Sequence, residues 1–253
     1  MTPTYPDLAD KVAVVTGGSR GIGAATSRLL ATNGAKVVVN GRDEAAIEAV
    51  VDDIRSTSGQ AIGIAADATN FDAIERMRQQ VEQELGPVDI LVAFAGGHGQ
   101  PKPTEQVTEE EWRFVIDTNL TATFLTVRSF LPGMIHRRRG AIVTMSSTAG
   151  RLPGGSSAAY AAAKAGIGMF SRHIAQEVAQ KNIRVNCVAP GAILTDRLSR
   201  VPAHVRQQVA ALHPLGRLGM PEDVALATLF LVSTSASWLT GVTLDVSGGR
   251  IML

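Results

Sequence analysis

Short runs of β-branched residues return along this 253-residue chain, separated by longer amphipathic stretches, and that alternation restricts what it can fold into. The runs Val12 to Val15, Val37 to Val39, Ala61 to Ala65, Val88 to Val92, Ala141 to Met145 and Arg184 to Val188 are largely apolar, as strands buried on both faces must be. Helical patterns lie between them at about Gly21 to Asn33, Asp43 to Ser58, Phe71 to Leu85, Glu109 to His136 and Ser157 to Lys181, followed by Glu222 to Val232. A last run, Val242 to Val246, supplies a seventh strand. Strand, helix and strand in that order require parallel pairing through crossovers. The predicted fold is therefore α/β: a single doubly wound Rossmann-type domain over residues 1–253, with a seven-stranded parallel sheet flanked by helices. Gly34, Gly59, Gly86 and Gly140 each stand between a helical pattern and the next strand, where a left-handed residue can end a helix.

In such a sheet, ligands bind beyond the carboxyl ends of the strands. Two irregular segments leave those ends, Gly96 to Thr108 and Ala192 to Pro214, and they are the expected walls of a substrate pocket. The first strand runs into Thr16-Gly17-Gly18-Ser19-Arg20-Gly21-Ile22-Gly23 and then into a helix. Glycines at 17, 21 and 23 permit a tight turn with backbone amides and a helix N-terminus facing a dinucleotide's phosphates.

Cofactor choice turns on the end of the second strand, where an acid would bind the adenosine ribose and repel a 2′-phosphate. The chain reads Val39-Asn40-Gly41-Arg42 there, with no acid at the strand end. Arg42 can give charge-assisted hydrogen bonds to a phosphate, and Arg20 offers a second cation from the glycine loop. Either arginine alone would be an ordinary surface residue; the two together favour NADP(H) over NAD(H).

Tyr160-Ala161-Ala162-Ala163-Lys164 lies thirteen residues after Ser147. Positions i and i+4 share a helix face, so the Lys164 ammonium is expected beside the Tyr160 phenol. Free tyrosine titrates near ~10, and moving it to neutrality needs roughly 4 kcal/mol. A cation ~4 Å away at an effective dielectric of about 20 supplies about that much. Asn119 is unfavourable inside its helical pattern and hints at a local distortion, with a polar surface position as the alternative.

Other features exclude functions. With 24 Lys+Arg against 23 Asp+Glu, no field favours nucleic acid or a membrane surface. The short run His136-Arg137-Arg138-Arg139 reads as a solvated helix end. Cys187 is the only cysteine, so no internal disulfide forms, a reducing compartment fits, and a buried, unreactive thiol without a cationic neighbour is expected. The histidines at 98, 136, 173, 204 and 213 have no metal-ligand spacing, so no metal is expected. Met1 to Asp10 lacks the pattern of a targeting segment, and no apolar run reaches about eighteen residues. A soluble, cytoplasmic protein is expected.

With these motifs in place, the chain resembles the short-chain dehydrogenase/reductase superfamily from Lys11 to Gly249. The resemblance rests on Thr16 to Gly23, Asp67, Ala95-Gly96, Asn119, Ser147, Tyr160-x-x-x-Lys164, and Pro190-Gly191 with Thr195. Gly41-Arg42, Pro214-Leu215-Gly216-Arg217 and Pro221 to Val224 look most like the branch of β-ketoacyl-acyl-carrier-protein reductases and bacterial ketoreductases. The resemblance implies that Tyr160 protonates a carbonyl oxygen, that Ser147 hydrogen-bonds it, that Lys164 binds the nicotinamide ribose and lowers the tyrosine pKa, and that Asn119 holds a relay water. It places the cofactor against Gly17, Ser19, Arg20, Gly21, Ile22, Gly23, Asn40, Arg42, Asp67, Ala68, Ala95, Gly96, Tyr160 and Lys164. Pro190, Gly191, Ile193 and Thr195 would form the carboxamide pocket that presents the B face of the nicotinamide. For Asp67, taken as the adenine contact, a helix cap is the alternative.

The implied substrate is a small carbonyl or alcohol compound, free or bound to acyl carrier protein, since Arg138 and Lys181 match basic positions that contact the carrier. His98, Leu152 and residues from Leu194 to Leu212 would line its pocket. A homotetramer is implied, paired through the Tyr160 helix, whose Ala158, Ala159, Ala161, Ala162, Ala163 and Ala165 permit close packing. Two departures stand out: Ala93-Phe94-Ala95-Gly96 replaces the usual Asn-Asn-Ala-Gly, placing an aromatic near the ribose, and Ser247 replaces the Asp that often precedes Gly248-Gly249. An NAD-dependent secondary-alcohol or sugar dehydrogenase is the alternative enzyme, and a non-catalytic nucleotide-binding regulator the alternative outside catalysis.

Overall fold

A computed structural model describes residues 3–252; residues 1, 2 and 253 of the expected unit lie outside the described residues. The strands are β1 (Val12–Thr16), β2 (Lys36–Gly41), β3 (Gln60–Ala65), β4 (Ile90–Ala93), β5 (Gly140–Met145), β6 (Ile183–Pro190) and β7 (Thr243–Val246). They form one sheet in the order β3-β2-β1-β4-β5-β6-β7, and every neighbouring pair is parallel. The expected seven-stranded doubly wound fold is present. Chain order reverses between β1 and β4, which opens a crevice at the carboxyl ends of these two strands.

Strand periodicity distributes the core over both sheet faces. Ala13 and Val15 of β1 pack with Leu30, Ile47, Val50 and Leu229 on one face, while Val12 and Val14 pack with Ile74, Val81, Phe130 and Val178 on the other. Helices α1 (Gly21–Thr32), α2 (Glu44–Ser56) and α9 (Pro221–Val232) supply the first layer. Helices α3 (Phe71–Glu84), α5 (Ala122–Arg137) and α6 (Ala158–Val178) supply the second.

Three local expectations change. Gly34 and Gly86 do take left-handed φ values of 81° and 93°, but after α2 and α5 the left-handed residues are Ser58 and Arg138. Gly59 and Gly140 are required for space instead: a Cβ there would come within 2.7 Å of Ile54 and 2.5 Å of Met134. The basic run ending α5 is exposed at His136, Arg138 and Arg139, as expected, but is also anchored, since Arg137 donates to Val88 O at 2.5 Å and Arg139 pairs with Asp89 at 3.2 Å. Finally, the irregular segment Ala192 to Pro214 contains two short helices, α7 (Asp196–Ser199) and α8 (Ala203–Ala211).

The long helical pattern from Glu109 divides into α4 (Glu109–Ile116), a π-helical turn (Asp117–Thr121) and α5. Asn119 lies inside that turn, where the distortion was expected. Extra backbone groups lose their i−4 partners in a π turn, and Thr123 Oγ1 donates to Asn119 O at 2.8 Å.

Candidate active site

Tyr160 and Lys164 sit on the first turns of α6, whose start is fixed by Ser157: its hydroxyl accepts from Tyr160 N at 3.2 Å. Ser147 follows β5 by two residues, in extended conformation, and caps a 3-10 turn, Thr148–Gly150. That turn rides directly on α6, because a Cβ on Gly150 would stand 2.7 Å from backbone atoms of Lys164 and Ala165. Ser146 adds a hydrogen bond to Lys164 O at 2.6 Å. The thirteen-residue spacing between Ser147 and Tyr160 is thus the length of chain that leaves β5, turns and enters a helix lying against its own starting point.

The tyrosine is only 6 % exposed. Burial pushes its phenol up to about 12, outweighing the nearby Ser147 hydroxyl and the Arg197 charge, which pull it down. The expected tuning to neutrality by Lys164 is absent in the protein alone. The ammonium stands 5.5 Å from the ring centroid, and burial pushes its own pKa down to about 8. It donates to Met145 O at 2.9 Å. The phenol therefore holds its proton at neutral pH, which is the form a proton donor needs.

Asn119 fixes the local structure with its side chain. Its Nδ2 donates to Gly97 O at 2.7 Å and Val115 O at 2.9 Å, clamping the loop after β4 to the π turn. The next residue on that loop, His98, stacks on Tyr160 with centroids 4.2 Å apart and planes at 26°. Burial lowers the imidazole to about 4, with the Arg197 and Lys164 charges acting in the same direction, so the ring is neutral.

A cleft of about 810 Å³ runs from the glycine loop to Met145. Gly17, Ser19, Arg20, Gly21, Ile22 and Gly23 line it, as do Asn40, Arg42, Asp67, Ala68, Ala95, Gly96 and Thr195. Of the expected carboxamide pocket, Gly191 and Ile193 line a second cleft of about 330 Å³ instead, while Pro190 ends β6. Gly17 and Gly21 have φ values of 66° and 50°. A Cβ on Gly23 would stand 2.0 Å from Gly17 O, and one on Gly17 2.8 Å from Phe94 O. Glycine is required at these places, and the floor they leave is bare backbone, as close approach by a pyrophosphate demands. The Lys164 ammonium, with three protons and one protein acceptor, retains donors for ribose hydroxyls. The residues present therefore fit a bound dinucleotide.

At the adenosine end the two arginines differ. Arg20 is ion-paired with Asp43, which also caps α2 through Ala46 N. An acid thus stands three residues beyond Asn40, a point the reading of the strand end missed. Arg42 is exposed and, among the described residues, has no ion-pair partner. Asn40 uses its amide to bridge β2 to the end of β3, donating to Ile64 O at 3.0 Å and Ala66 O at 3.1 Å. Asp67 closes a turn on Thr69 N at 2.8 Å, and the cap of α3 is Asn70 instead. Phe94 is buried in the core and also lines the cleft.

Sequence reasoning missed Phe114 and Thr118, which line the cleft together with Arg197 and Arg200 from the expected Leu194 to Leu212 wall. It also missed His213, which is buried, donates from Nδ1 to Val209 O at 2.9 Å and accepts from Ala192 N at 3.2 Å, pinning the loop after β6. Cys187 is buried as expected, although Lys164 and Arg151 do come near; burial dominates and its thiol pKa is raised. Ser247 accepts from Ile251 N at 3.2 Å. Neighbouring Asp245 forms a two-point pair with Arg151, at 3.0 and 2.7 Å. Among the described residues no cluster of metal-ligating side chains occurs, and no helix is long and apolar enough to cross a membrane.

Comparison with known proteins adds a second line of observation. Residues 11–206 match the family described as short chain dehydrogenase. A 3-oxoacyl-[acyl-carrier-protein] reductase of Vibrio cholerae is 40% identical over 247 residues, covering 98% of this chain and 100% of that protein. The cis-4-hydroxycyclohexanecarboxylate dehydrogenase of Sinomonas cyclohexanicum is 41% identical, covering 96% and 97% of the two chains. The crystal structure of a 3-oxoacyl-[acyl-carrier protein] reductase from Brucella melitensis superposes with a TM-score of 0.93 at 34% identity, covering 100% of this chain and 97% of that one.

Proposed function

The chain belongs to the short-chain dehydrogenase family, and on that premise we propose that it is an NADPH-dependent oxidoreductase reducing a ketone, 3-oxoacyl or other, to a secondary alcohol. The observation that carries this reading is a cleft floored by glycine backbone that reaches Met145, whose carbonyl accepts from the Lys164 ammonium one helical turn from the buried Tyr160 phenol. A buried aromatic acid at that place has a use only if something accepts its proton. We take residues 1–253 as one catalytic domain.

When bound, the nicotinamide supplies a hydride, with its electron pair, to the carbonyl carbon. Everything else falls to the protein. Ser147 donates a hydrogen bond to the carbonyl oxygen, and Tyr160 transfers its O–H proton to that oxygen as negative charge develops there. The phenolate left behind is stabilised by the Lys164 ammonium and recovers a proton from solvent. Asn119 acts by clamping Gly97, which fixes the loop carrying His98 over the reacting ring. Run backwards, the same arrangement oxidises an alcohol.

For the cofactor, unpaired Arg42 is the phosphate partner and Arg20, shared with Asp43, the weaker one. Arg42→Asp is expected to lower the NADPH-to-NADH preference, read as the ratio of kcat/KM values with a generic activated ketone. The expected drop is about tenfold to hundredfold, the weight of one or two charge-assisted hydrogen bonds. An unchanged ratio would contradict the assignment.

The reading extends to a cytoplasmic homotetramer acting on free or carrier-bound substrates. Met169, a large apolar side chain on α6, is 61% exposed on the helix expected to pair, and light scattering would test the mass. Arg138 lies close to Lys181, donating to Gln180 O at 2.7 Å, so both basic positions expected to meet a carrier share one surface.

A further inference from the structure

The most buried ion pair among the described residues stands beside the turn that carries Ser147. It joins Arg151 to Asp245, 94 residues apart in the chain, with side chains only 18% and 16% exposed. Arg151 Nε donates to one carboxylate oxygen at 3.0 Å and a terminal guanidinium nitrogen to the other at 2.7 Å. Such a fork fixes direction as well as distance. Largely withdrawn from water, it is weakly screened, and loss of one partner leaves a poorly solvated charge behind.

Each end of the pair belongs to a different part of the site. Gly150 N donates to Ser147 O at 3.0 Å, Arg151 N to Thr148 O at 3.0 Å and Leu152 N to Thr148 O at 2.9 Å, which closes residues 147–152 into one unit. Within it Ser147 Oγ accepts from Ala149 N at 3.2 Å, an arrangement that leaves the hydroxyl proton for a substrate oxygen. Asp245 lies on β7, the edge strand, in register with Ala189 of β6. The fork therefore ties the turn after β5 to a strand two places away in the sheet.

Beyond Arg151 the chain has little else to hold it. Leu152, Pro153, Gly154 and Gly155 are exposed. Gly154 and Gly155 take left-handed φ values of 98° and 73°, with no atom within 4 Å of where a Cβ would stand. The next fixed point is Ser157, the cap of α6. Gly150 seats the turn on α6 at one side, and the fork secures its far end.

We propose that Arg151 and Asp245 are positioning residues that act through Ser147, holding its hydroxyl where the carbonyl oxygen receives a hydrogen bond. This rests on the reductase reading given above, and on the part of Ser147 in it.

The test places Arg151→Met and Arg151→Lys in wild type and in Ser147→Ala. The rate is read as single-turnover oxidation of bound NADPH by ethyl acetoacetate, which keeps the slow serine-free background measurable, and NADPH affinity is titrated by fluorescence. In the wild-type background Arg151→Met is expected to lower the rate by about tenfold to hundredfold, the cost of misplacing a group by about 1 Å, with NADPH affinity nearly unchanged. Arg151→Lys, able to pair at one point, should restore part of the loss. In Ser147→Ala the same Arg151→Met change should have little effect, because substitutions that act through one group are not additive. Arg151→Met/Asp245→Leu removes both charges together and carries the same comparison where the single variant folds poorly. An unchanged rate in the wild-type background, an equal loss in both backgrounds, or a main defect in NADPH affinity overturns the proposal and leaves the reductase reading standing. A Ser147→Ala enzyme as fast as wild type overturns it together with the role of the serine. A wild type that reduces neither ethyl acetoacetate nor a generic activated ketone overturns the reductase reading as well.

Discussion

Tyr160→Phe is expected to lower kcat by roughly 10²–10⁴-fold, the usual contribution of a general acid, while leaving NADPH affinity and thermal stability nearly intact. The separation follows from where the ring sits. Tyr160 is buried against Val115, Ala159 and Ala149, and stacks on His98, contacts that a phenylalanine ring preserves. What disappears is the single proton that burial has kept on the oxygen. Turnover within a few-fold of wild type would remove Tyr160 from the proton-donor role.

Lys164→Met should fail in two measurements where Tyr160→Phe fails in one. The ammonium is only 2 % exposed and donates to Met145 O at 2.9 Å. Two of its protons remain for ribose hydroxyls, and its charge is what stabilises the phenolate after proton transfer. Losing hydrogen bonds from a charged group costs about 1.5–3 kcal/mol each, so NADPH affinity should drop by about tenfold or more. The loss in kcat should be of order 10²-fold or greater, since the proton donor no longer has a cation to stabilise its conjugate base. Methionine fills similar volume and removes the cost of burying a charge, so circular dichroism should still report a folded chain. Unchanged NADPH affinity in a folded variant would contradict the dual role.

The sequence made the sheet legible because parallel strands buried on both faces leave continuous apolar runs, and all seven are found within a few residues of their expected limits. The site was legible where chemistry depends on local spacing. Tyr160 and Lys164 share a helix face because they are four apart, and the glycines at 17, 21 and 23 announce a backbone turn that tolerates no side chain. Asn119 gave itself away as an unfavourable helix residue, and the π turn is the result.

What stayed hidden depends on contacts between distant segments. The tyrosine pKa was argued from a lysine alone, whereas burial of the ring, decided by His98 and the packing of α6, dominates it. Asp43 appears in sequence as the first residue of a helix, and only the fold shows that it also neutralises Arg20. Which residues of the stretch from Leu194 to Leu212 line the cleft could not be read, because α7 has four residues and no periodicity.

The central claim, that this chain moves a hydride from a nicotinamide to a ketone carbon, has a direct test. NADPH carrying deuterium at the pro-4S position is incubated with enzyme and ethyl acetoacetate, and the hydroxy ester is analysed by mass spectrometry. Transfer from the B face predicts one deuterium on the carbinol carbon and unlabelled NADP⁺. Product free of deuterium, with the label retained in the oxidised cofactor, would contradict the orientation of the site, and absence of any hydroxy ester would contradict the claim itself.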